Sequence, residues 1–209
     1  MLSGKTFSIL GDSYSTFRGF IPEGYDWYYP NPQSVSDVLA VEDTWWYQLS
    51  HCENMCLLVN NSYSGSTVCT RVREHHPASA SFVARAEWDF GGGNGEAPDV
   101  LFVFGGTNDS WIQREIGQVQ FEGRTQEDLG KVLPAFCHVL ERLGRRYPET
   151  KLVAVINTEL NPAIGEGFCL AAAHYGVTVI QLEGIHKENA HPTALGMRQI
   201  AQQIGAKLK

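Results

Sequence analysis

Short apolar runs recur along the chain at 6–10, 56–60, 99–104, 151–156 and 177–182. Each has the length and near-continuous hydrophobicity of a strand buried on both faces. The clearest are Val100-Leu101-Phe102-Val103-Phe104 and Leu152-Val153-Ala154-Val155-Ile156. Between the runs the period changes. Over 126–147, Leu129, Val132, Leu133, Phe136, Val139, Leu140, Leu143 and Tyr147 form a helical stripe. Over 192–208, Met197, Ile200, Ala201, Ile204 and Leu208 repeat that spacing. Thr125 with Asp128 resembles a capping box. Pro134 predicts a kink in the first helix, and Pro192 suits the first position of the second. Strands alternating with helices imply an α/β fold whose mainly parallel five-stranded sheet is covered on both faces.

Two long stretches lack either period, about 14–43 and 110–124. Irregular segments of that length are usually functional or mobile. Gly91-Gly92-Gly93-Asn94-Gly95 precedes a strand rather than following one, which makes it a connector and not a dinucleotide loop. The 209 residues suit a single domain over 1–209. A chain of this size buries roughly 70% of its unfolded surface and needs no metal or disulfide to hold a core.

Charge and cysteine usage narrow the partners. The net charge is -7 and no basic run stands out, which argues against nucleic acid. Cys52, Cys56, Cys69, Cys137 and Cys169 are odd in number and form no CxxC, so they read as reduced, mostly buried thiols. No apolar run approaches the ~20 residues that span a bilayer, so no membrane insertion is expected. The default location is the cytoplasm, or the periplasm or exterior if a signal peptide has been removed. Nothing in the pattern speaks to oligomeric state.

The candidate chemistry sits at strand ends. Ser13 of Gly11-Asp12-Ser13 follows the first strand, Gly65 follows the second and Asn108 follows the third. His191 precedes the last helix. In open α/β sheets, ligands bind outside the carboxyl ends of the strands. Acyl transfer from an ester needs a nucleophile, a base and donors for the developing oxyanion. Ser13 could attack and His191 could take its proton. The Ser13 and Gly65 amides and the Asn108 side chain could hold the oxyanion.

In these four blocks the chain resembles the SGNH/GDSL hydrolase family, named for its Ser, Gly, Asn and His. They are Gly11-Asp12-Ser13, Gly65 in Ser64-Gly65-Ser66, Gly106-x-Asn108-Asp109 and His191-Pro192. The resemblance runs over nearly the whole chain. It implies a flavodoxin-like three-layer α/β/α sandwich and ester hydrolysis through an acyl-serine, with no metal or organic cofactor. One position departs from the pattern. The family's last block usually carries Asp three residues before His, where this chain has Glu188. Glu188, Glu159 or a backbone carbonyl could orient the imidazole.

Each residue also has a plainer reading. Ser13 could cap a turn, Asn108 and Gly65 could be turn residues, and Asp109 could hold its loop. Among the seven histidines, His186 is the rival base, while His51, His138 and His174 fall in helical patterns. His75 and His76 are adjacent and would not converge easily on one metal. Aromatic residues crowd 14–29 and 45–47, where they pack the long loop or line a pocket. Tyr14 and Trp111, beside the candidate site residues, are the substrate-binding candidates. Arg114 either pairs with an anionic substrate group or is solvated. The expected function is therefore a serine esterase or acylhydrolase acting on a small or carbohydrate-linked ester, acetyl esters included. An acyltransferase using the same site and a weakly active glycan-binding relative are the alternatives.

Overall fold

The computed structural model describes residues 2–31, 36–93 and 95–208. The 14–43 stretch is thus described except for 32–35, and Asn94 of the glycine-rich connector also lies outside the described residues. In chain order the strands and helices are β1 (Thr6–Gly11), α1 (Trp45–Glu53), β2 (Cys56–Ser62), α2 (Phe82–Arg85), β3 (Val100–Phe104) and α3 (Thr107–Trp111). Then follow α4 (Val132–Arg146), β4 (Lys151–Ile156), α5 (Pro162–His174), β5 (Thr178–Gln181), β6 (Lys187–Glu188), β7 (His191–Pro192) and α6 (Ala194–Leu208).

The large sheet is ordered β2-β1-β3-β4-β5. All its neighbours are parallel, which is the flavodoxin-like order. Side chains alternate across it. Phe7, Ile9, Phe102, Phe104, Val153 and Val155 face α1 and α6. Leu10, Leu101, Val103, Leu152 and Ala154 face α4 and α5. The result is three layers with a core on each side of the sheet. The five apolar runs are the five strands to within two residues at either end.

Helix boundaries depart from the pattern for identifiable reasons. Thr125 and Asp128 do exchange capping bonds, but they close a short 3₁₀ turn at Asp128–Gly130. Lys131 is extended, and α4 starts afresh at Val132. Its first two N–H groups donate to Glu115 and Ile116 carbonyls at 3.0 and 2.9 Å. Pro134 therefore occupies the first turn, where its missing N–H costs nothing, rather than the interior where it would kink. Pro192 lies in β7, not at the start of α6. Thr193 Oγ1 caps that helix by accepting from Gly196 N. Cys69 and Cys137 are buried, but Cys52 and Cys56 are exposed.

Candidate active site

The order of strands sets where chemistry gathers. The topology reverses between β1 and β3, so the loops leaving their carboxyl ends part and open a crevice. Gly11 ends β1 opposite Ser62 and Phe104. A Cβ on Gly11 would meet the side chains of Ser62 and Ser15, so only glycine fits there. Asp12 then caps a single 3₁₀ turn, Ser13–Ser15, by accepting from Tyr14 N at 3.1 Å. Three donors fasten the turn's end. Trp46 Nε1 and Asn60 Nδ2 donate to the Ser15 carbonyl at 3.0 and 2.9 Å, and Trp45 Nε1 donates to Ser15 Oγ at 3.1 Å. Trp45 and Trp46 are buried and serve packing.

His191 reaches this turn from the other end of the chain. Lys187-Glu188 pairs antiparallel with His191-Pro192, leaving Asn189-Ala190 as a two-residue hairpin turn. Both turn residues have positive φ, 47° and 63°, as a type I′ turn requires. Two tyrosines hold the hairpin: Tyr14 OH donates to Ala190 O at 2.6 Å and Tyr29 OH to Pro192 O at 2.8 Å. The imidazole Nε2 consequently stands 3.1 Å from Ser13 Oγ. Its Nδ1 stands 3.1 Å from the Asn189 carbonyl. That carbonyl, rather than either carboxylate, orients the ring. Glu188 is exposed with no hydrogen bond to the imidazole among the described residues, and Glu159 pairs with Lys187 at 3.0 Å. The rival His186 is engaged elsewhere, with Nδ1 2.8 Å from Thr193 Oγ1.

Asn108 lies in the first turn of α3, entered through Gly106 at φ +91°. Its Nδ2 is buried and has no hydrogen-bond partner among the described residues. An orphaned buried donor is costly, and at the carboxyl edge that also carries Ser13 and His191 it has the character of a group that a substrate oxygen completes. Gly65, at φ +79°, follows β2 at the same sheet edge. The space its Cβ would take is filled by the His76 ring.

Comparison with known proteins settles the family. The family model for GDSL-like lipase/acylhydrolase proteins matches residues 5–208. The chain belongs to the GDSL-like lipase/acylhydrolase family. It is accordingly a serine hydrolase that acts on ester bonds. A GDSL-like protein from Bacteroides uniformis is 40% identical, with a TM-score of 0.90 over 98% of this chain and 95% of that one. Another from Bacteroides ovatus is 37% identical, with a TM-score of 0.90 over 98% and 97%. A family two carbohydrate esterase from Clostridium thermocellum, in complex with cellohexaose, shares the fold. It is 12% identical, with a TM-score of 0.66 over 100% of this chain and 65% of that one. None of the curated proteins compared matches the chain.

Around this GDSL-like core, buried charge holds the loops. Arg85 is 2% exposed. It donates to the carbonyls of Gly11, Asn61 and Ala80 and to Ser66 Oγ, at 2.6 to 3.0 Å. One guanidinium thereby ties the ends of β1 and β2 to the loop that carries Gly65. Burial lowers its pKa to about 10, which still leaves it charged at neutral pH. Asp109 accepts from Val68 N and Cys69 N at 2.8 and 3.3 Å and holds the same loop from the other side. Burial raises its pKa, and it raises that of Asp12 to about 7.

His191 sits in an aromatic surround. Tyr28 stacks on it, while Tyr14 and Trp111 approach its ring at 5.5 and 5.4 Å. Burial first, and then the positive charges of Lys187 and Arg73, lower its pKa to about 4, against the raising effect of the Asn189 carbonyl. Tyr28, Arg73, Lys187 and Arg85 are contributions that sequence reasoning missed. Tyr28 lay in the aromatic segment already noted, but nothing local distinguished it from its neighbours. Among the described residues no group of three or more His, Cys, Asp or Glu side chains is arranged to hold a metal ion. No helix among them is long and apolar enough to cross a membrane.

Proposed function

We propose that this GDSL-like hydrolase, acting as a single domain over 1–209, cleaves short-chain esters through an acyl-serine. The observation that carries the reading is the Ser13 Oγ–His191 Nε2 contact of 3.1 Å, at the sheet edge that also carries the orphaned Asn108 Nδ2. Ser13 Oγ attacks the ester carbonyl carbon while His191 Nε2 takes its proton. The carbonyl oxygen becomes an oxyanion, held by Asn108 Nδ2 and the Ser13 and Gly65 amides. Collapse breaks the bond to the leaving oxygen, and His191 returns the proton to it. Water then attacks the acyl-serine with His191 as base, releasing the acid and restoring Ser13 Oγ–H. The Asn189 carbonyl accepts from Nδ1–H throughout, fixing the tautomer that leaves Nε2 free as base.

An acetylated carbohydrate is the substrate class we favour. Trp27, Trp88 and Trp111 are 40, 43 and 38% exposed, and aromatic faces of this kind stack on sugar rings. Carbohydrate esterases of the same fold lend support. The test is hydrolysis of a chromogenic acetate by the wild type and Ser13→Ala, with labelling by a serine-directed phosphonate. Activity and labelling that both vanish in Ser13→Ala support the acyl-serine. Equal activity in the two proteins would remove Ser13 from the chemistry. Product analysis with competing alcohols separates hydrolysis from acyl transfer.

A further inference from the structure

The loop after Gly65 carries one cation whose role neither packing nor the acyl-serine chemistry explains. Its backbone is pinned around Arg73. Arg71 pairs with Glu115 at 3.4 Å, and Arg114 Nη2 donates to the Val72 carbonyl at 2.6 Å. His76 N closes a turn on the Arg73 carbonyl at 3.1 Å, and the His76 ring rests against Gly65 and faces Asp26 at 3.5 Å. His75 between them holds a left-handed φ of 72° in that turn. Arg114, the sequence candidate for binding an anion, is thus a backbone clamp.

Arg73 itself is left unmatched. Its Nε, like that of Arg114, is buried with no hydrogen-bond partner among the described residues. Its guanidinium forms no ion pair among the described residues, in a chain with 23 acidic side chains. The other cation whose charge reaches His191, Lys187, is balanced by Glu159. Among the described residues no carboxylate bonds His191 Nδ1, because the Asn189 carbonyl takes that place. Arg73 is thus a cation on the Gly65 loop that no group among the described residues balances. A negative charge arriving with the substrate would pair with Arg73 and balance it.

We infer that Arg73 is a specificity-determining residue that pairs with a carboxylate on the ester substrate. The inference deepens the ester-hydrolysis reading and rests on it for the identity of the site. An acetylated acidic sugar is one substrate of this chemistry. A half-ester of a dicarboxylic acid is another.

Two pairs of probes place the carboxylate on different halves of the ester. Para-acetoxybenzoate against para-acetoxybenzamide places it on the alcohol half, and para-nitrophenyl glutarate against para-nitrophenyl pentanoate on the acyl half. One anionic member is expected to exceed its neutral twin in kcat/KM by about tenfold. The ratio should shrink with added salt and fall to near one in Arg73→Gln, with Arg73→Lys retaining part of it. The pair that shows the preference identifies the half that carries the charge. Calorimetric binding of the same four esters to Ser13→Ala and to Ser13→Ala with Arg73→Gln needs no turnover. If no ester is hydrolysed but the anionic preference in binding is present and Arg73-dependent, the short-chain ester reading fails while carboxylate recognition by Arg73 is retained. Esters turned over with no anionic preference, or a preference that survives Arg73→Gln, would overturn this inference alone.

Discussion

The imidazole of His191 lies flat on the phenol of Tyr28, with ring centroids 3.6 Å apart and planes within 5° of each other. The stack covers one face of the ring and contributes to the burial that holds its pKa near 4. Tyr28→Ala is expected to return that pKa toward the ordinary 6.5. A general base must be neutral, so activity is lost as pH falls through its pKa. At pH 5.5 about nine-tenths of the variant's imidazole would then be charged, and kcat/KM should drop roughly tenfold relative to neutral pH. Tyr28→Phe keeps the ring and should keep the wild-type profile. A pH–rate curve for the three proteins checks this, and an unmoved acid limb in Tyr28→Ala would exclude the stack as its cause.

Because the Asn189 carbonyl serves Nδ1, the carboxylates near His191 should matter little. Glu188→Gln is expected to change kcat by less than about threefold, against roughly 10⁴-fold when a triad carboxylate is removed. The wild-type acid limb should lie near pH 4, where His191 titrates. Steady-state kinetics from pH 3.5 to about 8 would reveal both. A hundredfold loss in Glu188→Gln would mean that the hairpin rearranges to bring Glu188 onto the imidazole.

Asn108 Nδ2 has no partner among the described residues, so replacing it removes no hydrogen bond made by that donor in the resting fold. Asn108→Ala should therefore leave the melting temperature nearly unchanged. Its kcat should fall by about 10²–10³-fold, because the donor acts on the oxyanion. Thermal unfolding and kcat measured on one preparation test the two halves together. A large loss of stability with unchanged kcat would make Asn108 a structural residue.

Arg85 offers the opposite expectation. Arg85→Leu removes a buried donor from the Gly11, Asn61 and Ala80 carbonyls, of which Gly11 keeps only the Tyr63 amide at 3.2 Å. We expect a loss of about 3–5 kcal/mol in unfolding free energy, read by denaturant titration. A loss below about 1 kcal/mol would show that water replaces the guanidinium.

Much of this arrangement was legible in local pattern. Parallel strands buried on both faces read as continuous apolar runs, so all five were visible. With them came the strand-end positions of Ser13, Gly65 and Asn108. Helix starts were less legible. Pro134 in an apolar stripe looks the same whether it lies mid-helix or in the first turn. Only the Glu115 and Ile116 carbonyls, brought alongside by the preceding loop, decide between the two. The group behind His191 was beyond local reading for a similar reason. Asn189-Ala190 lacks the glycine that usually marks a type I′ turn, and its positive φ angles are held by Tyr14 and Tyr29 from the other end of the chain.

By itself, then, the sequence determined the sheet, its parallel sense and which residues stand at its carboxyl edge, because hydrophobic period and strand ends are properties of neighbouring residues. The tertiary structure alone decided which groups face those residues. The Tyr28 ring, the Arg85 guanidinium and Arg73 come to the site across long stretches of chain, and the Asn189 carbonyl, two residues from His191, meets the imidazole in a hairpin that Tyr14 and Tyr29 hold from far away in sequence. Contacts of that kind are set by how loops pack over the crevice between β1 and β3, and no local periodicity encodes them.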